Sequence, residues 1–237
     1  VGNQSLLSVK DLSKDIGKKN ILNNISFSLE AGEVLSVFGP NGAGKTTLLK
    51  LLSTVTNLTS GELEIANEKV TEEAISLRKD IGVISHNTFL YDDLTAYENL
   101  KFYGEMYEVP DLEDCIFNVI DKVGLNFCFH DLVRTFSRGM KQRLSIARAI
   151  LHLPDLLLLD EPYTGLDQHA IEMLNTVIND LNTKQRTIVM ITHNFQQGLN
   201  LSDSFLILVN GQIKFEGVSA EFTLSELQKK YKEVLGE

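Results

Sequence analysis

A chain of 237 residues, 43% of them hydrophobic, is long for one average domain and carries enough apolar side chains for a substantial core. Its formal charge of −10 argues against a nucleic-acid partner, because a phosphate backbone is bound largely through Lys and Arg. Two cysteines, Cys115 and Cys128, exclude a disulfide framework and point to a reduced intracellular setting, and no apolar run approaches the ~20 residues of a membrane helix. The N-terminal residues lack the apolar core of a secretion signal, so a chain soluble by itself is expected.

Residues 6–12 and 25–29 alternate or cluster apolar side chains around the polar stretch 13–20, which reads as two strands joined by a loop. Val34, Leu35, Val37 and Phe38 then form a buried strand. It runs into Gly39-Pro40-Asn41-Gly42-Ala43-Gly44-Lys45-Thr46-Thr47, which fits the pattern G-x-x-x-x-G-K-[ST] without a mismatch. The chemistry needs these residue types. Glycines let backbone N–H groups curl around phosphates, Lys45 brings a cation to the β- and γ-phosphates, and the Thr46 hydroxyl is a ligand for Mg²⁺. A helix over 46–52 completes the strand, loop and helix of a nucleoside triphosphate site.

A short strand follows at 63–65 and a buried one at 81–85. Thr95 and Glu98 match a capping box, and Leu100, Tyr103, Met106 and Tyr107 mark a helical stripe that ends before Pro110. Residues 111–123 read as a second helix closed by Gly124, and 138–151 as a third, so that 86–152 forms a helical insertion. Leu156 to Leu159 show no alternation and read as a fully buried strand ending on Asp160, where a metal-side carboxylate belongs. Glu161 comes next, placed to take a proton from an attacking water. A helix over 168–181 leads to a strand at 187–191. Strands at 205–209 and 212–215 flank the hairpin dipeptide Asn210-Gly211, and 225–235 reads as an amphipathic helix.

Taken in order, residues 39–47, Phe136-Ser137-Arg138-Gly139-Met140, 156–162, Gly165-Leu166-Asp167 and His193 resemble the motifs of an ATP-binding cassette (ABC) ATPase over nearly the whole chain. The resemblance implies an α/β fold: a P-loop core with a mostly parallel sheet, an N-terminal antiparallel β layer and an inserted helical subdomain. It implies one nucleotide-binding domain over 1–237, with approximate subdomains 1–85, 86–152 and 153–237. ATP and Mg²⁺ are the implied ligands. A head-to-tail pair of cassettes, identical or not, would trap ATP between the phosphate loop of one and the signature Ser137, Arg138, Gly139 and Met140 of the other. Asp167 would lie at that interface, and His193 would contact the γ-phosphate and steady Glu161. On residue type alone, Ser137 and Asp167 are equally well read as helix N-caps.

Two positions depart from the family pattern. His86 stands where a glutamine ordinarily ligates Mg²⁺ and senses the membrane partner, and either His86 or adjacent Asn87 takes that role here. Neutral imidazole is a poorer match to Mg²⁺ than an amide oxygen. Ile16 replaces the aromatic residue that stacks on adenine, which implies looser base contact and room for GTP to compete. The segment 86–95, with Glu98-Asn99-Leu100, is similar to export cassettes of the cytochrome c maturation type. Its Phe89, Leu90 and Tyr91 suit either ordinary packing or a groove for a helix of a membrane protein.

The function expected is therefore an ATPase subunit, peripheral on the cytoplasmic face of the cell membrane, that drives a transmembrane permease on a separate chain, with export favoured over import. A cassette acting on nucleic acid or the ribosome is the alternative, disfavoured by the charge of −10.

Overall fold

The computed structural model describes residues 5–71, 76–85, 87–164, 168–183 and 186–237. Strands β1 (Ser5–Ile16), β2 (Lys19–Glu30) and β3 (Val34–Phe38) lead into helix α1 (Lys45–Leu52), followed by β4 (Ser60–Ile65), β5 (Glu68–Lys69) and β6 (Ile81–Ile84). Helices α2 (Ala96–Met106), α3 (Leu112–Lys122) and α4 (Arg138–Ile150) come next. Then β7 (Leu156–Asp160), α5 (Gln168–Thr183), β8 (Thr187–Ile191), α6 (Phe195–Leu201), β9 (Ser204–Val209), β10 (Gln212–Val218) and α7 (Leu224–Leu235) complete the order.

Two sheets form. One has strand order β10-β9-β3-β8-β7-β6, parallel from β9 to β6 with β10 antiparallel at its edge, and the other is antiparallel in the order β2-β1-β4-β5. Every residue of β3, β7 and β8 is buried, because both faces of the parallel sheet are covered. Leu156 and Leu158 pack with α1 and with Leu7, Ile25 and Leu63 of the antiparallel sheet. Leu157 and Leu159, pointing the opposite way, pack with Leu100, Ile120, Leu144 and Leu174 of the helical side. The β layer and the helical insertion thus grip the two faces of one parallel sheet.

The structure differs from the sequence reading at 13–20. These residues are not a loop: β1 and β2 stay paired, with register shifts between Leu12 and Asp15, through Asp15↔Asn20 and Ile16↔Lys19, turning at Gly17 with φ 61°. Residues 15–20 are exposed on both faces, so no apolar alternation marks that end of the hairpin. Helix α6 was also not legible from periodicity. It has seven residues and is started by Asn194, whose side chain accepts the Gln197 N–H at 3.0 Å.

Candidate active site

The parallel strands end side by side, and the loops after β3, β7 and β8 enclose a cavity of about 590 Å³. Asn41, Gly42, Ala43, Gly44, Lys45, Thr46 and Thr47 line it from one side, and Asp160, Glu161 and His193 from the other. Gly44 is the N-cap of α1 and supplies no side-chain cap. The first N–H groups of α1 therefore have no intrahelical partner and present partial positive charge at the cavity. Such a helix start is an anion receptor.

Lys45 is only 8% exposed. Its Nζ donates to the carbonyl oxygens of Gly39 at 2.7 Å and Pro40 at 3.0 Å, which folds the ammonium back over the loop. Burial pushes its pKa below the usual lysine value, while the carboxylates of Glu161 and Asp160 oppose that shift. Gly39 and Pro40 thus act on the cavity through Lys45 rather than by lining it.

Asp160 closes β7 with 8% exposure. Glu161 follows with φ 52°, a left-handed conformation that a non-glycine residue rarely adopts and that sharply redirects the chain into the cavity. Its N–H donates to the Ile191 carbonyl at 2.9 Å, tying the end of β7 to the end of β8. Its Oε2 accepts the His193 N–H at 3.2 Å, and Oε1 lies 3.1 Å from His193 Nε2. Oε1 is buried and accepts no hydrogen bond, the His193 ring standing beside it only as a close polar contact. The bond from the His193 backbone N–H to Oε2 holds the Glu161 carboxylate against the start of the segment after β8.

Other expected residues lie elsewhere. Ser137 is the N-cap of α4, its Oγ accepting the Met140 N–H at 3.2 Å. Ser137, Arg138, Gly139 and Met140 do not line the phosphate cavity of their own chain; Arg138 borders a second depression with Thr88, Lys141 and Thr164. Ile16 is 57% exposed near the β1–β2 turn and also lies off the cavity lining. His86 and Asp167 fall outside the described residues. Three lining residues were not singled out from sequence for this cavity: Ile21 from β2, Ile191 at the end of β8, and Thr164. Ile21, half-buried in a strand that precedes the loop in sequence, gives no sign of its role, whereas Ile191 is legible once β8 is seen to end beside β7.

The fit to Mg²⁺ rests on donor chemistry. Asp160 and the exposed hydroxyl-bearing Thr46 place a carboxylate and a hydroxyl oxygen on one cavity. Mg²⁺ is commonly held by one or two protein oxygens together with substrate phosphates and water. The residues present suit that ion.

Residues 22–164 match the family model for the ABC transporter. The chain is 37% identical over 232 residues to the uncharacterized ABC transporter ATP-binding protein YdbJ of Bacillus subtilis, covering 98% of this chain and 75% of that protein. It is 31% identical over 239 residues to the Nod factor export ATP-binding protein I of Ralstonia nicotianae, covering 100% of this chain and 74% of that one. Among solved structures, it resembles an ATP-binding cassette captured as a dimer in a post-hydrolysis state with ADP and Pi, at TM-score 0.81 and 25% identity over 90% of this chain and 98% of the other. With its phosphate loop, acidic strand end and histidine converging on one cavity, the chain belongs to the ABC transporter family as an ATP-binding subunit with ATPase activity.

Proposed function

We propose that this chain is the ATP-hydrolysing motor of an exporter, acting as one nucleotide-binding domain that pairs with a second cassette and drives a separate transmembrane permease from the cytoplasmic face of the membrane. The observation that carries the proposal is the convergence of Lys45, Asp160, Glu161 and His193 on one cavity at the ends of three parallel strands.

In this reading the N–H groups of 42–46 and the ammonium of Lys45 receive the β- and γ-phosphates of ATP. Lys45 exchanges its bonds to the Gly39 and Pro40 carbonyls for phosphate oxygens. Asp160 and Thr46 hold Mg²⁺, which supplies charge neutralisation across the phosphates when bound. The Glu161 carboxylate accepts the proton of the attacking water, and His193, whose backbone N–H bonds Glu161 Oε2, donates from its ring to the γ-phosphate oxygen. Ile21 bounds the cavity on the β-layer side, and Ile16 supplies no ring for stacking on the base.

Pairing with a second cassette is supported by the separation of Ser137–Met140 from their own chain's cavity and by the dimeric solved relative. A start of α4 facing outward, with Gly139 at its second position, suits a γ-phosphate brought by another chain. Export is supported by the Nod factor export relative and by the Ser137-Arg138-Gly139-Met140 variant of the signature. No helix among the described residues is long and apolar enough to cross a membrane, and Phe89, Tyr91 and Phe102 offer exposed aromatic surface for a permease. Tyr91 and Phe102 meet edge to face at 5.1 Å. Purified wild type is expected to turn over ATP, while Glu161→Gln retains ATP binding and loses turnover by about 10²-fold or more. Equal turnover in the two proteins would contradict the role given to Glu161.

A further inference from the structure

The Asn210-Gly211 turn joins β9 to β10 with φ 49° and 73°, as a two-residue hairpin with positive φ at both central residues requires. Gly211 is nevertheless buried. Its N–H donates to the Ala43 carbonyl oxygen at 2.9 Å, inside the phosphate loop, and its own carbonyl accepts the N–H of Asn23 in β2 at 2.8 Å. A Cβ at Gly211 would stand 2.3 Å from the carbonyl oxygen of Ile21, which lines the phosphate cavity.

The same junction is tight at both ends of the loop. A Cβ at Gly39 would lie 2.2 Å from the Leu208 carbonyl oxygen, and one at Gly44 would lie 3.0 Å from the Ile21 carbonyl oxygen. Loop, β2 and the β9–β10 hairpin therefore meet backbone to backbone. Behind the turn, Phe205, Ile207 and Phe215 pack with Leu227 and Tyr231 of α7, which makes the hairpin a stiff reference. In a planar trans peptide the C=O and N–H point in opposite directions. Anchoring the Ala43 carbonyl to Gly211 therefore turns the Gly44 N–H of the same peptide away from the hairpin, and Gly44 lines the cavity.

We infer that Gly211 is a positioning residue for nucleotide binding: it holds the Ala43–Gly44 peptide and the β2 wall in the orientation that receives phosphate, without touching the nucleotide. The inference rests on ATP occupying the phosphate cavity. Displacing one peptide of a preorganised anion site by about 1 Å is enough to weaken binding severalfold or more. The backbone hydrogen bonds of Gly211 go to Ala43 and Asn23 and not to Glu161 or His193, so the chemical step is spared once ATP is bound.

The test compares ATP affinity, KM and kcat in wild type, Gly211→Ala and Gly124→Ala. Gly124 also has a left-handed φ, 63°, but a Cβ there would meet only the end of Arg143 at 3.5 Å, so it reports the backbone strain alone. Gly211→Ala is expected to raise KM and the dissociation constant for ATP about tenfold with kcat within about twofold of wild type, while Gly124→Ala leaves both near wild type. If Gly211→Ala fails to fold, Asn210→Ala loosens the turn without adding an atom near Ile21 and is expected to raise KM about two- to threefold. Unchanged KM in the soluble turn variant, a fall in kcat alone, or an equal KM rise in Gly124→Ala would overturn the inference. Failure of wild type to bind ATP would instead overturn the proposed function on which it rests.

Discussion

Glu161 occupies an unfavourable φ of 52° and one of its oxygens, Oε1, is buried without a hydrogen-bond partner, so two local costs are spent on a single orientation. Such strain at the end of a buried strand fits a group held for chemistry rather than for packing. His152 is the contrasting histidine. It stacks on Tyr107 at 4.1 Å, its Nε2 bonds the Ile81 carbonyl at 3.2 Å, and burial, with a smaller contribution from the nearby Arg148 cation, lowers its pKa to about 4. The unfolded chain binds this proton below about 6.5 and the folded chain only below about 4. Stability from His152 is thus fully present at neutral pH and is lost as pH falls through that window, amounting to about 2 kcal/mol between pH 7 and pH 5. Urea unfolding of His152→Phe is expected to show a correspondingly flatter pH dependence than wild type; parallel curves would contradict this. Ile16 makes a separate prediction. If its exposed side chain stands beside the base, Ile16→Tyr tightens ATP binding by up to about tenfold in a direct titration, and unchanged affinity would place it away from the base.

At the scale of elements, the parts that announced themselves were those whose chemistry is written in side chains. The apolar runs of β3, interrupted only by Ser36, and of β7 are buried, and the capping box of α2 forms as expected: Thr95 Oγ1 accepts the Glu98 N–H at 3.1 Å while Glu98 Oε2 accepts the Thr95 N–H at 2.8 Å. Thr95→Ala is expected to lower the unfolding free energy by about 1 kcal/mol in denaturant titration, with ATP affinity unchanged. What stayed hidden was made of backbone or of exposed residues. The full length of β1 and β2 escaped because residues 15–20 face water on both sides. The brace from Gly211 to Ala43 escaped because a carbonyl bond between segments 168 positions apart leaves no pattern in either. Asn210-Gly211 was visible as a hairpin, yet nothing in its sequence tells which surface the turn abuts.

For the whole molecule, one parallel sheet carries two differently purposed faces. The β layer and α1 fix the phosphate loop on one side, and α2, α3 and α4 pack through Leu100, Ile120 and Leu144 on the other. On the helical side Ser137 and the exposed aromatics Phe89 and Tyr91 stand outside the lining of the loop cavity. The proposed completion of the site by a second chain rests on that division. The most direct test is sedimentation of Glu161→Gln with and without ATP, beside a Glu161→Gln, Ser137→Arg double variant. A monomer is expected without ATP, a dimer with it, and loss of the dimer when Ser137 is replaced. A protein that binds ATP and stays monomeric, or a dimer indifferent to Ser137, would contradict it.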